Sequence, residues 1–279
     1  YTTLFRSGVI LLLFTLFAKK KETFAVWKKP AEAVRLVIFA VGGLMFSQFA
    51  YLTAISYSNS GTATVFQNTG IILVMIISCI LARRLPRGKE ITAAVLTLIG
   101  VVLLATHGRL DGLVISGGAL TWGGLAALAL VTYTLLPGQL LKKWGTPLVN
   151  GFAMLIGGIV LAVAFRIWEE SWDFELHIVL ALLAMVILGT VIAFSFYLQG
   201  VADIGPVKAS MLACIEPVVA TVISALWLGT EFAPIDLLGF ALIIGGCLLV
   251  SMSGEKDAQA DAEDAPESSR AVVSGADTE

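Results

Sequence analysis

Long apolar runs separated by brief polar turns dominate this chain. Nine such runs can be marked, at roughly 4–18, 34–54, 62–82, 91–107, 116–136, 148–167, 177–199, 208–229 and 235–252. About 20 helical residues cross about 30 Å of hydrocarbon, and most of the runs are that long. They are continuous rather than alternating, so they predict helices and not barrel strands. The first is short and contains Arg6, whose long side chain can reach the interface. The short connections make neighbouring helices antiparallel.

The polar positions supply a direction. Thirteen bases fall on alternate connections: Lys19, Lys20, Lys21, Lys28, Lys29, Arg35, Arg83, Arg84, Arg87, Lys89, Lys142, Lys143 and Lys208. The other side holds three, Arg6, Arg109 and Arg166, beside the acids Glu169, Glu170, Asp173, Glu175, Glu231 and Asp236. Bases concentrate on cytoplasmic loops, so the basic side is cytoplasmic and the C-terminal tail follows it there. Nine crossings then leave Tyr1 outside. A tenth helix ahead of residue 1 would bring both ends inside, and the complete protein is expected to have one. The alternative is a nine-span protein with an external N-terminus.

Composition agrees with the pattern. Apolar residues make up 58% of the 279 residues and charged residues 14%, with mean hydropathy +0.91. Those values exclude most soluble enzymes, nucleic-acid binders and disordered regulators. The net charge of −2 is a cancellation. Residues 255–279 hold eight acids and two bases, a net of −6, which leaves +4 for the body. This acidic tail is poor in large apolar residues and reads as disordered. Cys79, Cys214 and Cys247 sit inside apolar runs at no metal-ligand spacing, so they read as small hydrophobes. His107 and His177 stand alone at span ends and read as interfacial. Nothing in the chain calls for a metal or a cofactor, and no nucleotide-binding or hydrolase motif appears.

Sliding the chain over itself by 146 residues lays 51–108 on 197–254 without a gap. Nine of 58 positions are identical, among them Tyr51/Tyr197, Ala63/Ala209, Gly100/Gly246 and Gly108/Gly254, and upstream Gly43 meets Gly189. The shared punctuation of helix, turn, helix, charged turn and helix is the stronger signal. The offset spans five helices, an odd number, so the copies face opposite ways. Inverted repeats of this kind are a signature of secondary transporters.

The stretches YLTAISYSNSGTATVFQNTGIILVMIIS and YLQGVADIGPVKASMLACIEPVVATVISALWLGTEFAPIDLLGFALIIGGCLLV resemble the third-to-fifth and eighth-to-tenth helices of EamA-type carriers, in the drug/metabolite transporter superfamily. The second half carries the more specific features: Glu216-Pro217 within a helix, then Gly229-Thr230-Glu231, then a glycine-punctuated last helix. The resemblance covers essentially all of 1–254. It implies ten helices in two inverted five-helix halves, here 1–109 (lacking its first helix) and 114–254, around a central substrate cavity. The chain departs from that pattern at its missing first helix. It departs again where Thr69-Gly70-Ile71 occupies the place of Ile215-Glu216-Pro217, without the proline.

Polar groups deep in a membrane are costly, about 2.5–3.5 kcal/mol for a mid-span acid on insertion scales, and usually face a cavity or a partner. Glu216 is the deepest acid. It can couple an ion, a proton above all, or anchor a cation; alternatively it satisfies backbone groups freed at a Pro217 kink. Gln48, Gln67 and Asn68 can hydrogen-bond a polar substrate or bridge helices. Trp122, Tyr133, Phe194 and Tyr197 are the aromatic candidates for a pocket wall, with cation–π attraction available.

The expected protein is an all-α inner-membrane secondary carrier, not an enzyme. It moves a small organic metabolite by alternating access. The resemblance implies amino acids, drug-like amphiphiles or choline-like cations as substrate classes. Substrate and bilayer are the partners and nucleic acid is not, while coupling to a proton or other ion, simple exchange and a homodimer are left open. The alternative is a membrane sensor or scaffold signalling through its acidic tail.

Overall fold

The computed structural model describes residues 2–18, 23–109, 113, 115–166, 169, 176–228 and 234–263. The tail beyond 263, Lys19–Lys21, most of the acidic stretch 169–175 and the Gly229-Thr230-Glu231 turn lie outside them, as does the side chain of His177.

Nine helical rods follow one another among the described residues, with no strand. They are α1 (Thr2–Ala18), α2 (Pro30–Tyr57), α3 (Ser60–Leu81), α4 (Gly88–Thr106), α5 (Gly117–Trp144), α6 (Thr146–Ala164), α7 (176–204), α8 (206–228) and α9 (Pro234–Glu263). Eight of them are long and apolar enough to cross a membrane. The apolar part of α1, Thr3–Phe17, is shorter. At about 1.5 Å per residue its 15 residues reach about 22 Å, less than the hydrocarbon thickness of about 30 Å. Eight of the nine predicted crossings thus have the length and composition of a span, and α1 is a shorter ninth apolar helix. The last rod runs on to Glu263, into the segment read as disordered. Ala258, Ala260, Ala262, Lys256 and Gln259 favour helix over coil there.

Local chemistry sets the ends. Asn59 caps α3 by accepting from Thr62 N at 2.8 Å, and Ser116 caps α5 by accepting from Ala119 N at 3.0 Å. Glu90 accepts from Arg87 N at 2.9 Å and pairs with both terminal nitrogens of Arg84 at 2.8 Å. Gly145 (φ +80°) and Gly205 (φ +87°) turn the chain at left-handed φ just before Pro147 and Pro206, which open α6 and α8.

The 146-residue offset reappears in these boundaries. α2 ends at 57 and α7 at 204, within one residue of the offset, and α3 begins at 60 and α8 at 206. Two π-helical segments, Phe39–Met45 in α2 and Met185–Ile192 in α7, stand at the same register.

Equivalent helices also pack on each other. A Cβ on Gly100 would meet Gly239 O and Ile243, and a Cβ on Gly246 would meet Ala93 O and Thr97. Shifting 93, 97 and 100 by 146 gives 239, 243 and 246, so the partners are exchanged. The same holds at α1 and α6, where Gly158 abuts Phe5 and Gly151 abuts Leu11 and Leu12. In both pairs residue numbers rise on one helix as they fall on its partner, so the equivalent helices are antiparallel.

Two cores result. One joins α1, α2, α5, α6 and α7 through Phe39, Leu44, Tyr133, Phe152, Met154 and Leu198. The other joins α3, α4, α8 and α9 through Ile71, Met75, Val101, Met211 and Ile243. Leu130 of α5 packs against both. The three cysteines are free and buried, as small hydrophobes would be.

Candidate translocation site

α2 and α5 are joined at both ends. Ser116 Oγ donates to Tyr57 O at 2.9 Å on one side. On the basic side Arg35 donates to Gln139 Oε1 at 2.5 Å, Trp144 Nε1 donates to Glu32 Oε2 at 2.6 Å, and Lys143 pairs with Glu32. Lys29 Nζ lies 5.6 Å from the Trp144 ring centre. Hydrogen bonding with Lys143, and then its charge, lowers the pKa of Lys29.

Between these ends the helices carry two aromatic groups. Trp122 of α5 stands edge-on to Phe49 of α2 at 5.4 Å, and Phe49 tilts onto Phe165 at 5.9 Å. Nearer the basic side, Tyr133 is stacked between Phe39 at 5.8 Å and Tyr197 at 5.5 Å, with interplanar angles of 12° and 10°. Phe194 closes this group edge-on to Tyr133 at 5.8 Å. α2, α5 and α7 thus meet through three parallel rings. The Tyr197 hydroxyl shares a hydrogen bond of 2.7 Å with Thr134, which is fully buried. The Tyr133 hydroxyl is buried and has no partner among the described residues. Such an atom costs about 1–3 kcal/mol unless something else meets it.

The predicted polar residues divide. Asn68 Nδ2 donates to Thr64 O at 2.8 Å, while its Oδ1 accepts from Cys214 Sγ at 3.7 Å. Gln48 and Gln67 are half-buried, with no side-chain hydrogen bond among the described residues. Glu216 is exposed and likewise makes none. α8 breaks at Cys214 and Ile215, two residues ahead of Pro217. There Cys214 N and Ile215 N each donate to the carbonyl three residues back at 3.1 Å, tightening the turn. Pro217 has no N–H for Ala213 O, and its ring crowds that carbonyl, which places the break upstream of the proline. The equivalent helix α3 has no proline and is unbroken.

The structure brings together Tyr133, Phe194 and Tyr197, and separately Asn68 with Cys214. Trp122 is tied instead to Phe49. Sequence reading missed Phe39 and Thr134, whose types are ordinary in apolar helices. It missed a polar seam between α6 and α7, where Thr146 donates to Gln199 at 2.7 Å and Asn150 donates to Ser195 at 3.2 Å. It also missed that His107 is paired: its Nδ1 lies 3.0 Å from both carboxylate oxygens of buried Asp236. Among the described residues no three His, Cys, Asp or Glu side chains group as metal ligands.

Comparison with known proteins agrees with this architecture. The chain is 36% identical over 256 residues to the uncharacterized inner membrane transporter YicL of Salmonella typhimurium, covering 91% of this chain and 84% of that one. It is 26% identical to the uncharacterized transporter YyaM of Bacillus subtilis, covering 87% and 79%. A protein crystal structure of 19% identity superposes with TM-score 0.75 over 90% of this chain and 86% of the other, which speaks for the fold. The EamA-like transporter family matches residues 1–106 and 118–252, so this multi-pass membrane protein belongs to that family.

Proposed function

We propose that this transporter is a secondary carrier working by alternating access between two inverted halves, with nine crossings in this chain. The exchanged, antiparallel packing of Gly100 on Gly239 and Ile243, and of Gly246 on Ala93 and Thr97, carries the reading. A pseudo-two-fold axis lying in the membrane plane produces such contacts, and inverted halves give two near-equivalent states open to opposite sides. The basic side, with the acidic tail, is cytoplasmic.

The substrate is a small organic metabolite, neutral or cationic. Its site is drawn from Gln48, Gln67, Asn68, Trp122, Tyr133, Phe194 and Tyr197, with Glu216 beside the break in α8. No Lys or Arg stands among these residues, so nothing there would neutralise an anion. Aromatic faces and one carboxylate suit an amine or a quaternary ammonium group. Amino acids and drug-like amphiphiles with a cationic group meet the same description.

The test is uptake and efflux in proteoliposomes against a panel of amines, amino acids and quaternary ammonium compounds, chosen by thermal-shift screening. Saturable flux of a stabilising compound supports the carrier. Absence of flux for every stabilising compound overturns it.

A further inference from the structure

We infer that Tyr197 is a two-position hydroxyl switch, bonded to Thr134 when the basic side is closed and to Ser210 when that side opens. The inference rests on the alternating-access reading above and identifies the residues that position α7 in each state.

Tyr51 and Tyr197 are the same position in the two copies, yet their hydroxyls have different partners. Tyr51 bonds Thr64 at 2.9 Å, within the hairpin of α2 and α3. Adding 146 to Thr64 gives Ser210 on α8, another hydroxyl, in the hairpin of α7 and α8. Tyr197 does not use it. Its hydroxyl has crossed to Thr134 of α5 at 2.7 Å, and Ser210 Oγ donates to Val207 O of its own helix at 3.0 Å. One copy therefore holds the hairpin arrangement and the other the crossed one. If the halves trade conformations during transport, the second half adopts the arrangement of the first, and Tyr197 takes Ser210.

Both abandoned hydroxyls have a local fallback. Ser210 already shows it, and a helical threonine can donate to the carbonyl four residues back, as Thr221 does to Pro217 O at 2.7 Å. The exchange therefore strands no buried polar group on α5 or α8. It does remove the outer ring of the Phe39, Tyr133 and Tyr197 stack, which frees one face of Tyr133 and gives its unpartnered hydroxyl access to ligand or water.

The packing of α7 fits this role. Of its apolar window, 11% is buried, against 39% for its equivalent α2. Ile178, Leu180, Leu183, Met185, Ile187, Leu188 and Ile192 are all exposed, so the outer part of α7 is the least restrained. α2 is hydrogen-bonded to α5 at both ends, whereas the Thr134 bond is the hydrogen bond between α7 and α5 among the described residues.

The test needs no substrate. Cys79, Cys214 and Cys247 are replaced by Ser, and spin labels are placed at Ile204→Cys on α7 and Lys142→Cys on α5, in lipid nanodiscs. Thr134→Val should move population toward the longer distance by about fivefold, the weight of one net hydrogen bond. Ser210→Ala should move it the other way, Thr134→Ser should restore the original distribution, and in Tyr197→Phe neither change should act. If Thr134→Val and Ser210→Ala shift the distances alike, or still act without the Tyr197 hydroxyl, the switch is overturned while two states remain. A single distance unmoved in every variant overturns alternating access and the switch together.

Discussion

Cys214 Sγ donates to Asn68 Oδ1 across 3.7 Å, and these two residues stand 146 positions apart, at one and the same place in the two copies. Equivalent residues touch only where the relation between the copies passes between them. Under the proposed inverted repeat, the contact marks the centre of the internal symmetry, in the helices that carry the proline break on one side and no break on the other.

That contact predicts a cross-link. With Cys79 and Cys247 replaced by Ser, Asn68→Cys should pair with native Cys214 under mild oxidation, and thiol labelling should fall from two groups to none. Gln67→Cys, one residue earlier and about 100° around the helix, should keep both thiols. Equal cross-linking of the two variants would displace the axis from Asn68.

The close helix pairs predict a contrast between glycines. A Cβ on Gly158 would sit 2.4 Å from Phe5 N, against backbone that cannot rotate away, whereas one on Gly124 would meet nothing within 4 Å. Gly158→Ala should force α1 and α6 apart and cost about 1–3 kcal/mol, the usual penalty for overpacking. Gly124→Ala should be neutral or stabilising, since alanine favours helix over glycine by about 1 kcal/mol. Thermal unfolding in detergent measures both; a Gly158→Ala protein as stable as the parent would contradict the packing.

The periodic apolar runs were enough to place the helices. Gly100 and Gly246 were legible as matching positions, but their contacts with Gly239 and Ile243 and with Ala93 and Thr97 were not. The break in α8 was legible in kind but not in place, because a proline disturbs the carbonyl four residues before it. Phe39, Thr134 and the Asn150–Ser195 bond were not legible. Their contacts depend on how helices are rotated about their own axes, and in helices that are apolar all round no stripe records that rotation. Asp236 read only as an acid on the sparsely basic side, because its partner lies 129 residues away.

The His107–Asp236 pair predicts an asymmetry. Asp236 is fully buried, while the His107 side chain is 59% exposed. Removing the exposed partner takes a hydrogen bond away from the buried carboxylate, so His107→Ala should cost about 1–3 kcal/mol. Asp236→Asn keeps an amide oxygen that can still accept from the imidazole, and it should cost less. Thermal unfolding of the two variants checks this. A larger loss for Asp236→Asn would mean that His107 contributes little to holding α4 against α9.

Glu216 is where mechanism and fold can be separated. It opens the second segment of α8, directly after the break, and its carboxylate has no hydrogen bond among the described residues. A group that served only to satisfy the freed backbone would be bonded to it. A mid-span carboxyl group left unbonded beside a helix break is available to a proton or a cation. Such a group can load a proton on one side and release it on the other. Glu216→Gln keeps the shape and removes the titration. If Glu216 couples protons, this variant should fold with unchanged thermal stability, and its counterflow rate in proteoliposomes should no longer vary with pH. A pH profile identical to the parent's would assign proton coupling elsewhere. Glu216→Ala would then be expected to report only on the geometry of the break, through stability rather than flux.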